Sequence, residues 1–119
     1  MSWDCTLEHQ TGDTAVLPDG MRAPNGGTYV AGGTSEAWLN ITYNYTVHFH
    51  RVLDTEKGLA WLNGRKANDT IARLETAVSS LTGERDRDYW AGTEGNAKVA
   101  LQGLLDMAKA LPDCKWKVT

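Results

Sequence analysis

Polar and apolar positions change period along the chain, and each change predicts an element. Residues 2–8 alternate, with Trp3, Cys5 and Leu7 on one side and Ser2, Asp4, Thr6 and Glu8 on the other. Period two with one apolar face is the pattern of a half-buried strand. Thr11-Gly12-Asp13 turns the chain, and Thr14 to Leu17 predicts a returning strand before Pro18-Asp19-Gly20. Asp19 to Gly27 reads as loop, Thr28 to Ala31 as a short strand, and Gly32 to Ser35 as a hairpin connection. The longest expected strand follows, Glu36 to Tyr45. One face carries Ala37, Leu39, Ile41, Tyr43 and Tyr45, and the other carries Trp38, Asn40, Thr42, Asn44 and Thr46. Its apolar face needs a cover, and the downstream helices are the candidates.

Beyond residue 46 the period lengthens. Residues 47–54 read as a short helix, with a strand as the alternative because alternation persists there. Gly58 to Leu62 is an apolar patch ending at the Asn63-Gly64 turn. Ile71, Leu74, Val78 and Leu81 then recur at helical spacing, with Asn68 or Asp69 as N-cap and Gly83 at the C-terminal end. Glu84 to Asp88 is a charged connector. Thr93 caps a second long helix with Glu94 in its first turn and a stripe of Ala97, Leu101, Leu104, Leu105, Ala108 and Leu111. Pro112-Asp113 stops it, and 114–118 alternates again as a closing strand. The expected fold is α+β: a mainly antiparallel sheet with two long helices packed on one face. Residues 1–119 are read as one domain, mainly β over 1–46 and mainly helical over 47–111.

Composition narrows the function classes. At 119 residues, 41% hydrophobic and 23% charged, the chain has ordinary globular usage and no apolar run long enough for a membrane span. The net charge of −3 predicts no nucleic-acid partner. Residues 1–50 carry five acidic side chains against Arg22 alone, whereas 51–119 are nearly balanced, so the imbalance separates a β-rich from a helical half. Neither a basic n-region nor an apolar h-region follows Met1, which predicts no secretory signal, reduced Cys5 and Cys114, and unmodified sequons at Asn40, Asn44 and Asn68. A disulfide between the terminal strands is the alternative for the two cysteines.

Catalytic signatures are missing. There is no phosphate loop, dinucleotide fingerprint, zincin His-Glu-x-x-His or Gly-x-Ser-x-Gly elbow, and the spacing of two cysteines and three histidines fits no structural zinc site. His48 and His50 would share a face only on a strand, and the helical reading separates them. No catalytic residue, metal or cofactor is therefore assigned. The binding candidates are Trp38, Asn40, Thr42 and Asn44 on the polar face of the long strand. Two Asn in a strand run against local propensity, and such violations concentrate at functional or strained sites. The segment before the second long helix adds Tyr89, Trp90 and Asn96, with Arg51 as a basic residue able to pair with a phosphate or an acidic neighbour. Five Trp in so short a chain further favour binding.

The strings Met1-Ser2-Trp3-Asp4, Gly26 to Tyr29, Gly32 to Tyr45 and Asp88-Tyr89-Trp90 with Glu94-Gly95-Asn96-Ala97 together resemble a family of small proteins encoded by tailed bacteriophages and bacteria. Pro112-Asp113 with Trp116 fits that family's closing motif, and the Asp19–Gly27 loop is longer than in the family. The resemblance implies an accessory protein in the cytoplasm of the bacterial host and supplies no catalytic residues. The expected activity is non-enzymatic: binding of a small polar, nucleotide-like ligand to counter a host pathway such as antiviral defence. The alternative is a module that covers a host or phage protein through an aromatic patch. Homo-oligomers through a sheet edge are a further expectation.

Overall fold

A computed structural model describes residues 2–21, 34–82 and 92–119. Three antiparallel strands, β1 (Ser2–Glu8), β2 (Trp38–Thr42) and β3 (Lys115–Val118), form a sheet in the order β2-β1-β3. Among the described residues three α-helices accompany it: α1 (Thr46–Val52), α2 (Ala67–Ser80) and α3 (Glu94–Ala110). Short 3-10 turns at Tyr43–Tyr45 and Gly58–Leu62 flank α1. The architecture is the expected α+β arrangement. The register pairs Cys5 with Leu39 and with Val118, and Leu7 with Trp116, so one sheet face is apolar across all three strands. α3 covers it: Leu101 and Leu104 are fully buried, and a Cβ added at Gly103 would sit 3.2 Å from Leu39. Each such leucine contributes about 1.5–3 kcal/mol through apolar burial. A buried polar link fastens β3 to α2, because the Trp116 indole N–H donates to the Thr70 hydroxyl at 2.9 Å.

Several boundaries differ from the expected ones, each for a local reason. Residues 14–17 form isolated bridges, Glu8 with Thr14 and Val16 with Glu36, instead of a strand. Ala15 donates to the Leu7 carbonyl while its own carbonyl accepts from Ala37, so the segment is shared between two neighbours and builds no continuous ladder. The expected strand over 36–45 is only Trp38–Thr42, because the Thr42 hydroxyl accepts the Asn44 backbone N–H and turns the chain into the 3-10 segment. The helical reading of 47–54 holds, as α1. α2 begins at Ala67, with Lys66 in place of Asn68 or Asp69 as N-cap. Its first amides need no side-chain cap: Ala67 N–H donates to the Cys114 carbonyl at 2.7 Å and Asn68 N–H to that of Pro112 at 2.9 Å. Thr93 does cap α3, accepting from the Asn96 N–H at 3.1 Å. The strand expected over Thr28–Ala31 and the cap at Gly83 lie outside the described residues.

Candidate functional site

The eight expected binding residues fall into three groups. At the β1–β2 junction, Asp4 lies opposite Asn40 and Thr6 opposite Trp38. One carboxylate oxygen of Asp4 accepts both the Trp38 indole N–H at 2.9 Å and the Asn40 amide at 3.0 Å. The same Asn40 amide donates to the Ser2 hydroxyl at 2.9 Å. Asn40 is 7% exposed and Thr42 5% exposed. The expected open row of Asn40, Thr42 and Asn44 therefore does not form. Asn40 and Thr42 are covered and engaged in the fold, and Asn44 leaves the strand with the 3-10 turn. The local violation of strand propensity at Asn40 has a structural cause: its amide answers the half-buried carboxylate of Asp4.

The second group gathers at the start of α3. Glu94 Oε1 accepts the Thr82 backbone N–H at 2.6 Å and lies 3.3 Å from the Arg51 guanidinium. The Thr82 N–H, followed by Arg51, holds the Glu94 carboxyl below its ordinary value. His48 Nε2–H donates to the Gly92 carbonyl at 3.1 Å. A Cβ at Gly92 would stand 2.9 Å from the Asn44 carbonyl oxygen, so only glycine permits this approach without a shift. Asn96, 1% exposed, sits one turn into the helix. Asn44, Arg51 and Asn96 are thus brought to one end of α3. Arg51 is already answered by Glu94. Tyr89 and Trp90, the third group, lie outside the described residues.

A different feature emerges between α1 and α2. Val52, Leu53, Trp61, Asp69, Ala72, Arg73 and Thr76 line a shallow, open groove of about 450 Å³. Its floor is held firmly. Arg65 Nε–H donates to the Trp61 carbonyl at 2.7 Å, and the Arg65 guanidinium lies 4.3 Å from the centre of the indole. The Arg73 guanidinium lies 4.2 Å from the same ring, so Trp61 is stacked by two cations. Asp54 is pinned by the N–H groups of Lys57 at 2.8 Å and Glu56 at 2.9 Å. The Lys57 N–H, then that of Glu56 and the charge of Arg73, keep its carboxyl below the ordinary value. Arg73 reaches Asp54 only at 3.7 Å, beyond hydrogen-bond length. Among the described residues no acceptor takes an Arg73 N–H, and the Asp69 carboxylate has no partner.

Comparisons with protein-family models, with curated proteins and with solved structures find no match. What the groove can do is consequently read from its own chemistry. It joins an apolar floor to one forked donor and one free carboxylate. Asp69, Arg73 and Thr76 stand at i, i+4 and i+7 on one face of α2, a spacing visible in the sequence. The missing information was which surface lies opposite them, and only the turn of α1 into Gly58–Leu62 supplies it. At that turn Gly58 has φ +55° and the His50 ring 2.8 Å from where a Cβ would be, while His50 Nδ1 contacts the Thr55 carbonyl at 3.1 Å. His48 and His50 thus reach different carbonyls from one helix. Among the described residues no group of three or more His, Cys, Asp or Glu side chains could hold a metal ion.

Both cysteines are free thiols. Burial, then the charge of Asp4, pushes the Cys5 thiol far up, and burial, then the charge of Asp113, raises Cys114. The Cys114 sulfur stands 3.8 Å from His9 Nδ1, yet a thiol kept neutral is a poor nucleophile. No described helix is long and apolar enough to cross a membrane.

Proposed function

We propose that this is a non-enzymatic binding protein whose groove between α1 and α2 takes a small polar ligand. One observation carries the reading: a groove of about 450 Å³ has an apolar floor at Val52, Leu53 and Trp61 beside Arg73 and Asp69, whose side chains have no hydrogen-bond partner among the described residues. Small-ligand sites commonly span about 300–1,000 Å³ and combine such a floor with a few convergent polar groups. The phage-type accessory role in a bacterial cytoplasm, and the opposition to a host pathway such as antiviral defence, rest on the sequence resemblance alone.

Native mass spectrometry of protein purified from bacterial cells tests the reading, with Ala72→Trp as the groove-filling control. A dissociable small adduct on the natural chain that is absent from the folded variant supports it. The same adduct on both proteins overturns it. Amide NMR shifts on ligand addition, expected at Val52, Leu53, Ala72 and Arg73, would return the site to the sheet if they appeared at Trp38 and Asn40 instead.

A second reading, binding of a host or phage protein through an aromatic patch, is favoured by a separate observation. Tyr43 and Val47 are 39% and 73% exposed, and Trp3 meets Tyr43 edge-on with ring centres 4.5 Å apart. Tyr43 in the 3-10 turn and Val47 in the first turn of α1 thus expose apolar surface on adjoining turns. Under this reading Tyr43→Ser with Val47→Ser abolishes capture of the partner during infection, and Ala72→Trp leaves it unchanged.

A further inference from the structure

We infer that the ligand of this groove carries a guanine base, read by Arg73 and Asp69; the inference rests on the groove being a ligand site. The groove offers two complementary groups, and among the described residues neither has a hydrogen-bond partner, Arg73 being held only by its ion pair to Asp54 and its stacking on Trp61. Arg73 presents a planar fork of N–H donors held against Trp61 at 4.2 Å, and its contact to Asp54 at 3.7 Å leaves those donors available. Asp69, on the same helix face and four residues earlier, presents a carboxylate with no partner among the described residues. These two did not pair with each other, although i,i+4 spacing brings Cβ atoms to about 5–6 Å. A lone anion would satisfy Arg73 and be repelled by Asp69. A lone cation would do the reverse.

One flat molecule with a two-acceptor edge beside a two-donor edge answers both. Among the bases, guanine has that pattern: O6 and N7 form the paired acceptors that an arginine fork matches, and N1–H with the N2 amino group forms the donor pair that a carboxylate matches. Adenine offers N6 as a donor next to N7 and lacks the O6 acceptor. The Trp61 indole is already covered by Arg65 and Arg73, so the ring lies in the plane of the Arg73 fork, against the groove edge at Val52 and Ala72.

Isothermal titration of the whole chain with guanosine, inosine and adenosine 5′-monophosphates tests the assignment. Guanosine monophosphate should bind most tightly. Inosine monophosphate, which lacks only the N2 amino group, should bind about tenfold more weakly, because one hydrogen bond to a charged acceptor is lost. Asp69→Asn should close that gap, and Arg73→Gln should weaken guanosine monophosphate about tenfold; both positions are exposed, so the variants fold. Equal affinity for all three nucleotides, abolished by Ala72→Trp, would overturn the guanine assignment and leave the groove as a ligand site. Tight guanosine monophosphate binding that survives Ala72→Trp would overturn both. Absence of binding at millimolar nucleotide overturns the guanine assignment while the mass-spectrometric adduct decides the groove separately.

Discussion

The β1–β2 junction and the α1–α2 groove contain similar side chains in opposite conditions. At the junction a carboxylate, an indole, an amide and a hydroxyl are mutually hydrogen-bonded, with Asp4 accepting from Trp38 at 2.9 Å and from Asn40 at 3.0 Å. In the groove an indole, a guanidinium and a carboxylate lie close together, yet Arg73 and Asp69 have no hydrogen-bond partner among the described residues. Polar groups answered inside the protein hold strands in register. Groups left unanswered at the edge of an apolar floor are available to something else. Identity of residue type alone does not separate the two cases, and only the partner list does.

The comparison breaks first at the junction. Replacing Asp4 by Ala removes the acceptor of two donors, one of them on buried Asn40, and the cost is about 2–3 kcal/mol given the penalty of leaving such donors unpaired. Urea denaturation measures it as a lower midpoint at constant slope. Asp4→Asn keeps an acceptor oxygen and should recover part of the loss. Nucleotide affinity in the groove should stay within twofold for both variants while they remain folded. A change in affinity larger than the change in stability would mean that the junction, and not the groove, meets the ligand.

Arg73→Gln inverts that pattern. Its side chain is on the surface, so stability should move by no more than about 0.5 kcal/mol, while ligand affinity falls about tenfold. Calorimetry and a thermal melt of the same preparation give both numbers. A large drop in melting temperature with unchanged affinity would show that Arg73 serves Trp61 rather than a ligand.

Thr42→Val bears on why the two regions looked alike in the sequence. The hydroxyl of Thr42 caps Asn44 N–H at 3.3 Å, and its removal should cost about 1 kcal/mol, the usual value of a side-chain cap. Hydrogen exchange at the Asn44 amide should rise in parallel. Alternation of apolar side chains from Ala37 to Tyr45 continues past the point where the strand ends, because a 3-10 turn of three residues shifts the pattern too little to register. The helices were more legible. Leu74 and Val78 on α2, and Leu101, Leu104 and Leu105 on α3, repeat at helical spacing, and Thr93 caps where a threonine before an acidic residue should. The α2 boundary was hidden because its cap is tertiary, supplied by carbonyls of Pro112 and Cys114. Among the site residues, the sequence located Asn44, Arg51 and Asn96 near one another only after folding placed α1 beside α3. It gave no sign that Asn40 answers Asp4, a contact across 36 positions. The groove was invisible for a similar reason: Asp69 and Arg73 are ordinary polar residues of a solvated helix face until Trp61 is set opposite them.

The smallest expected effect concerns two carboxylates that tie α1 to its neighbours, and it extends the comparison to a third region. Glu94 and Asp54 both have folded-state values below their ordinary ones, Glu94 chiefly through the Thr82 N–H and Asp54 chiefly through the Lys57 N–H. A carboxyl whose value is lowered by folding stabilises the native state only when ionised. That contribution is complete above the ordinary values, 4.5 for Glu94 and 3.8 for Asp54, and disappears as pH falls through the lower folded-state values. Stability should therefore fall with acidification below about pH 4.5 and be flat with respect to these two groups at neutral pH. Glu94→Gln should flatten the upper part of that acid limb, and Asp54→Asn the lower part. Because both groups face solvent, added salt should reduce the Arg51–Glu94 and Arg73–Asp54 components and leave the backbone N–H components. Loss of Asp54 also releases Arg73 from its weak 3.7 Å contact, so Asp54→Asn should strengthen guanosine monophosphate binding slightly even as it lowers acid stability. If that variant instead weakens binding, the Asp54 contact orients the Arg73 fork toward the ligand, and the groove depends on an ion pair that its geometry assigns only to restraint.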